Sequence, residues 1–208
     1  MDKQNHWNTV YKTKQPNEVS WTQEVPKTSL DFIHSFGLTK TAKIIDIGGG
    51  DSKLADYLLN EGFENITVLD ISAKALDKAK QRLGEKAKKI NWIVCDITEF
   101  KPDTTFDVWH DRATFHFLTT SSQIAKYMNT ARNAVSGFLT IGTFSESGPE
   151  KCSGLPVKQY NEEQLTAALR NGFDKIRCIT EDHITPFDTT QNFLFCSFEK
   201  CRNLSVIS

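Results

Sequence analysis

The stretch IIDIGGGDSKLADYLLNEG, residues 44–62, starts as an apolar run rich in isoleucine and ends in helical spacing, with Leu54, Tyr57 and Leu58 on one face. Three consecutive glycines, Gly48, Gly49 and Gly50, join the two halves, with Asp46 before them and Asp51 after. A strand that becomes a helix through so bare a backbone reads as the first turn of a βαβ unit. Glycine there lets a ligand come close to the main chain.

The same alternation continues outward from this turn. NITVLD (65–70) precedes AKALDKAKQRL (73–83), and NWIVCD (91–96) and FDVWH (106–110) follow as strands. QIAKYMNTARNAV (123–135) has helical spacing, and GFLTIGTF (137–144) reads as a strand. NEEQLTAALRNGF (161–173) is helical, with Asn161 as cap and Gly172 as stop. IRCITEDHI (176–184) and NFLFCSFEK (192–200) close the series. Their link, TPFDTTQ, is too short for a crossover helix, so the two pair antiparallel at the sheet edge. SLDFIHSFGL (29–38) makes one more helix before the first strand, and the first 25 residues read as irregular. Continuous apolar strands between helices predict an α/β fold, a mostly parallel sheet covered on both faces.

The 208 residues suit one domain, and a formal charge of −1 with interspersed signs lacks the basic stripe of a nucleic-acid binder. No apolar run approaches the roughly 18–20 residues that span a bilayer. The opening MDKQNHWNTVYKTKQ is too polar for a signal peptide. Cys95, Cys152, Cys178, Cys196 and Cys201 have no C-x-x-C spacing. They read as reduced thiols of a cytoplasmic protein rather than a disulfide frame or a zinc site, and no metal site is expected. The tail CRNLSVIS (201–208) carries no pattern that assigns it a role.

The glycine loop narrows the ligand. In G-x-G-x-x-G counted from Gly48 the third glycine is replaced by Lys53, which argues against a dinucleotide pyrophosphate, and no G-K-S/T follows for a nucleotide phosphate. The pattern D-x-G-x-G, made by Asp46, Gly48 and Gly50, puts a carboxylate at the strand end and suits a cationic ligand.

IIDIGGGDS resembles the first motif of class I S-adenosylmethionine-dependent methyltransferases, (D/E)-x-G-x-G-x-G, with Ser52 at the third glycine. The resemblance covers about residues 40–145 and implies a Rossmann-like seven-stranded methyltransferase sheet, six strands parallel and one antiparallel. It implies S-adenosyl-L-methionine as cofactor, leaving as S-adenosyl-L-homocysteine. Asp46, Gly48, Gly49, Gly50, Asp51 and Ser52 would surround its methionine part. Asp70, followed by Ile71 and Ser72, would hold the ribose, and Asp96 with Ile97 the adenine. FDVWHDR matches the fourth-strand motif, so His110, Asp111 and Arg112 would face the methyl group.

Simpler roles compete at most of these positions. Asp70 and Asp96 could be turn residues, Asp51 and Ser52 could cap the helix near Lys53, and Arg112 could pair with Asp111. His116, inside the apolar TFHFL, reads as a core histidine. Trp7, Tyr11 and Trp21 either close over the cofactor, contacting its sulfonium, or dock the first segment. Residues 145–160, rich in Gly, Pro and Ser and containing Cys152, form a candidate substrate loop. The expected layout is a single domain over 1–208: an aromatic lid (1–25), a cofactor core (40–145) and that loop.

No Asn/Asp-Pro-Pro-Tyr/Phe motif follows the fourth strand, which argues against amide or nucleobase-amine methylation. The outer features are loosely similar to the thiopurine, thiol/halide and tellurite branch, which implies a small-molecule acceptor such as a thiol or other soft nucleophile. Protein-lysine methylation is the alternative, and a cofactor-binding regulatory protein without catalysis is a third. The expected partners are thus a small molecule or a protein substrate, with no nucleic acid and no membrane, in a monomer or weak dimer.

Overall fold

The computed structural model describes residues 2–201, so the tail 202–208 lies outside the described residues. Chain order begins with α1 (Lys3–Thr13) and α2 (Lys27–His34). Then β1 (Lys43–Ile47), α3 (Leu54–Asn60), β2 (Asn65–Asp70), α4 (Ala73–Leu83), β3 (Ile90–Val94) and β4 (Phe106–Arg112) alternate as the sequence predicts. α5 (Ser121–Ala134), β5 (Val135–Phe144), the short strands β6 (Lys151–Cys152) and β7 (Leu155–Pro156), α6 (Glu162–Leu169), β8 (Phe173–Ile184) and β9 (Thr190–Lys200) complete it.

The main sheet has seven strands in the order β3-β2-β1-β4-β5-β9-β8. β1, β2, β3, β4 and β5 pair in parallel, while β9 runs antiparallel to both β5 and β8. The strand order reverses between β1 and β4, and ligands bind at such a switch, outside the carboxyl ends of the strands. The expected antiparallel pair is present, with β9 inside the sheet and β8 at its edge.

Alternation along each strand sorts side chains onto two faces. Ile44 and Val108 join one apolar cluster with Leu30 and Ile33 of α2, Leu58 of α3 and Leu76 of α4. Ile45, Ile47 and Trp109 join another with Tyr127 and Met128 of α5 and Leu165 and Leu169 of α6. Helices therefore cover both faces. No helix among the described residues is long and apolar enough to cross a membrane.

Two expectations are corrected, on the first 25 residues and on the cysteines, and the 145–160 loop gains detail. The first 25 residues are not irregular: α1 forms with Asp2 as its N-cap, accepting from the Asn5 amide at 3.2 Å. Residues 145–160 contain the β6–β7 hairpin, held by the Tyr160 amide on the Phe144 carbonyl (3.0 Å) and the Lys158 amide on the His116 carbonyl (2.8 Å). The cysteines are not all reduced: β8–β9 pairing sets Cys178 opposite Cys196 with 4.1 Å between Cα atoms, and the two form a disulfide. Cys95, Cys152 and Cys201 are free thiols.

Candidate functional site

The carboxyl ends of β1, β2 and β4 open on a cavity of about 390 Å³. The loop after β1 is held from two sides. Gly48 and Gly50 have φ of +65° and +50°, in the left-handed region that favours glycine. A Cβ on Gly49 would stand 2.5 Å from Asp46 Oδ2 and 2.7 Å from Val68 Cγ1, so that position admits no side chain. Ser52 Oγ accepts from the Leu54 amide at 3.1 Å, a bond within the turn before α3; Lys53 is the N-cap and no side chain caps the helix, so neither Asp51 nor Ser52 is its cap. From α4, Arg82 donates to the carbonyls of Asp51 (2.7 Å) and Ser52 (2.8 Å) and grips the Asp56 carboxylate with Nε (3.0 Å) and Nη2 (2.8 Å). Sequence reading missed Arg82, which lies on the polar side of its helix and meets the loop only through the fold.

Carboxylates line the rest of this end. Asp70 is buried, accepts from the Ser72 amide at 2.7 Å, and has its pKa raised to about 7. Burial is the main cause, with Asp46 and Asp51 adding repulsion and the amides of Ser72 and Gly50 opposing it. Asp51 is raised as well, again by burial, against the attraction of Arg82 and Lys78. Asp96 closes a tight turn, accepting from the Thr98 amide (2.8 Å) and hydroxyl (2.9 Å). Asp46, Asp51, Asp70, Ile71, Asp96 and Ile97 all border the cavity. Gly50 and Ser72 stand behind that wall: Ser72 caps α4 through the Ala75 amide at 3.2 Å and donates to Asn8 Oδ1 of α1 at 2.9 Å.

α1 is therefore fastened over the sheet edge. Gln4 Nε2 donates to the Ile71 carbonyl at 3.1 Å, and a Cβ on Gly50 would meet Tyr11 Oη at 2.9 Å. Trp7 lies edge-on to Trp21 (5.6 Å between centroids) and to Phe117 (5.2 Å), and Tyr11 lies 6.1 Å from Trp21. Trp7, Tyr11 and Trp21 both dock the segment and wall the cavity. Burial beside Asp70 and Asp51 raises the Tyr11 pKa, which keeps its hydroxyl neutral.

The three residues predicted at the end of β4 separate. His110 and Arg112 line the cavity, but Asp111, between them on the strand, points to the opposite face. Asp111 is fully buried and accepts from the amides of Thr114 (3.0 Å) and Phe115 (3.1 Å) and from Tyr127 Oη (2.8 Å). Burial raises its pKa to about 6 against those bonds. It does not line the cavity and does not pair with Arg112. Tyr127 Oη also accepts from Trp109 Nε1 at 2.8 Å. Tyr127→Phe leaves the indole N–H unpaired and weakens the hold on a buried carboxylate, which should cost about 2–4 kcal/mol in urea unfolding. An unchanged midpoint would remove Asp111 from its structural role.

Arg112 donates to the Trp21 carbonyl at 3.0 Å, lies 4.8 Å from the Phe193 ring centroid, and has no partner at its buried Nε among the described residues. Burial lowers its pKa to about 10, while Glu181 and Asp46 favour the charge, so it remains a cation. Cys152, on β6, reaches the cavity from the 145–160 loop, and burial raises its thiol to about 11, leaving it protonated and weakly reactive. His116 is a core residue as read: it stacks on Phe144 at 4.4 Å, and burial, then Arg112, lowers its pKa to about 3.

Beneath Arg112 lies a buried chain. His110 Nδ1 is 2.7 Å from Asp46 Oδ1, and His110 Nε2 is 2.8 Å from Ser29 Oγ on α2. β1–β4 register sets Asp46 directly beside His110. Ser29 carried no sequence signal, because α2 reaches the site only by packing.

Comparison with known proteins is consistent with this geometry. Residues 44–136 match the family model described as a methyltransferase domain. A malonyl-[acyl-carrier protein] O-methyltransferase of Anoxybacillus flavithermus is 33% identical over 125 residues, 57% of this chain and 47% of that protein. An eEF1A lysine and N-terminal methyltransferase of Mus musculus is 30% identical over 82 residues, 39% of this chain and 12% of that protein. The chain thus spans less than half the length of either relative. Among solved structures, one described as "Conversion of a Disulfide Bond into a Thioacetal Group during Echinomycin Biosynthesis" superposes with TM-score 0.79 at 17% identity, over 97% of this chain and 94% of that one. The N-methyltransferase NodS of Bradyrhizobium japonicum with bound S-adenosyl-L-homocysteine gives TM-score 0.71 at 14% identity, over 95% and 100%. The fold is that of class I methyltransferases.

Proposed function

We propose that this chain, with its methyltransferase domain over residues 44–136, moves a methyl group from S-adenosylmethionine to a small-molecule acceptor, a thiol or another soft nucleophile. The observation that carries the reading is the clustering of Asp46, Asp51 and Asp70 around a loop whose Gly49 admits no Cβ. Three carboxylates repel phosphates and suit a ligand with ammonium, sulfonium and hydroxyl groups.

In this reading Asp70 accepts both ribose hydroxyls, Asp96 and Ile97 hold the adenine, and Asp46 with Gly48 to Gly50 flank the methionine part. S-adenosylmethionine supplies a methyl group on a positively charged sulfur. Arg112, cationic and with a free N–H, orients the acceptor. Trp7 and Trp21 exclude water from the attack line. Residues 1–25 act as the lid, 40–145 as the cofactor core and 145–160 as the acceptor loop of one domain. A cytoplasmic setting and a monomeric or weakly dimeric state belong to the same proposal.

Calorimetric titration should show S-adenosylmethionine binding and no NAD binding, and a panel of small thiols should yield methylated product. Label transferred only to lysines of added protein would favour the alternative of protein-lysine methylation, which similarity to an eEF1A lysine and N-terminal methyltransferase supports. Tight binding with no turnover on either panel would leave a regulatory role.

A further inference from the structure

The chain Ser29–His110–Asp46 is more elaborate than binding a cationic nucleoside requires. Ser29 and His110 are 1% and 2% exposed, yet both border the cavity on the side of Arg112. Asp46 can only accept, so at 2.7 Å it fixes the proton on His110 Nδ1 and leaves the Nε2 lone pair facing Ser29. The Ser29 hydroxyl then donates to Nε2 at 2.8 Å, and its own oxygen lone pairs remain to receive a proton from the cavity.

We propose that Ser29 and His110 form a proton relay, backed by Asp46, that removes a proton from a protic acceptor during methyl transfer. This deepens the methyltransferase reading, on which it rests, by fitting the site to acceptors that arrive carrying an S–H, O–H or N–H proton. The electron pair of that bond forms the new bond to carbon, and the carbon–sulfur bond of the donor breaks with its electrons left on sulfur. The acceptor's proton passes to Ser29 Oγ as the serine's own proton passes to His110 Nε2. The imidazolium so formed faces the Asp46 carboxylate, so the positive charge lost at sulfur reappears on a group already paired for it. Halides and other aprotic anions have no use for this device. The other charges whose fields reach the pair are Arg112 and Asp70, which act on Asp46, and Asp111, beside His110 on β4.

The test compares two thiols in the full chain, one ionised at the assay pH and one protonated. Ser29→Ala should lower kcat about 10²-fold for the protonated thiol and leave the ionised one within twofold, with cofactor affinity unchanged. Ser29→Thr, which keeps the hydroxyl, should restore most of the loss. Equal losses on both thiols would overturn the relay and make Ser29 a packing residue. Independently of turnover, ¹⁵N shifts of the His110 imidazole should show the Nδ1–H tautomer, moving in Ser29→Ala. The Nε2–H tautomer would refute the relay. A wild-type chain that binds no S-adenosylmethionine would instead refute the methyltransferase reading, while the tautomer result would still stand for the chain of bonds.

Discussion

Asp70→Asn should make the ligand-free protein more stable above pH 7 while nearly abolishing cofactor affinity. The Asp70 carboxyl has a pKa of about 7 because burial and the neighbouring Asp46 and Asp51 penalise its charge. In an unfolded chain the value is about 3.9. A carboxyl raised on folding supports the fold while protonated, and that contribution is lost as pH climbs from about 4 through 7. Complete ionisation costs roughly 4 kcal/mol at most. Asparagine has no charge to lose, although it can repeat only part of the bonding to the Ser72 and Gly50 amides. We expect the variant to gain about 1–3 kcal/mol over the parent at pH 8 and little or nothing at pH 5. With Asp70 on the ribose as proposed, losing charge-assisted bonds to two hydroxyls should weaken S-adenosylmethionine binding on the order of 10³-fold. In the parent, binding to the ionised form should tighten as pH rises to about 7 and then level off. Denaturation at both pH values with titration calorimetry decides the matter; parallel stability profiles for parent and variant would show that Asp70 is ionised without penalty.

Gly48→Ala should be the most damaging single methyl group in the loop. At φ +65° the new Cβ would fall 1.7 Å from Thr114 Oγ1, which donates to the Ile47 carbonyl at 3.2 Å. Left-handed backbone costs alanine about 1–2 kcal/mol, and displacing Thr114 costs about 1 kcal/mol more. The expected total is about 2–4 kcal/mol, with cofactor binding impaired because the loop shifts. Thr114→Ala removes the obstructing oxygen, so the double variant should be less destabilised than the two single changes added together. Strict additivity in guanidinium unfolding would mean that the two side chains do not meet.

What could be read before the fold was known follows physical range. The strands, the glycine loop and the carboxylates at strand ends are local patterns, and the structure assembles them around one cavity. α1 is faint in the sequence although Trp7, Val10 and Tyr11 are spaced for one helical face, because Trp, Asn, Thr and Tyr are weak helix formers. What holds α1 is contact with the sheet edge through Gln4 and Asn8. Asp111 leaves the cavity because alternation along β4 sends the middle residue of His110–Asp111–Arg112 to the other face. Arg82 and Ser29 act across elements distant in the chain, and no local pattern marks them. The Cys178–Cys196 link depends on the register of β8 against β9, which their connecting turn determines.

The placement of β9 inside the sheet has a temporal consequence. Of the described strands it is made last, yet it separates β5 from β8. Until its backbone arrives, β8 has no neighbour to hydrogen-bond, and Phe32 and Phe144 lack Phe193 and Phe195 to cover them. The half of the molecule that holds the carboxylates can consolidate early during synthesis, whereas the half beneath Arg112 must wait for the final strand to insert. A nascent chain would thus own the carboxylate-lined wall of the cavity before the packing beneath Arg112 was complete.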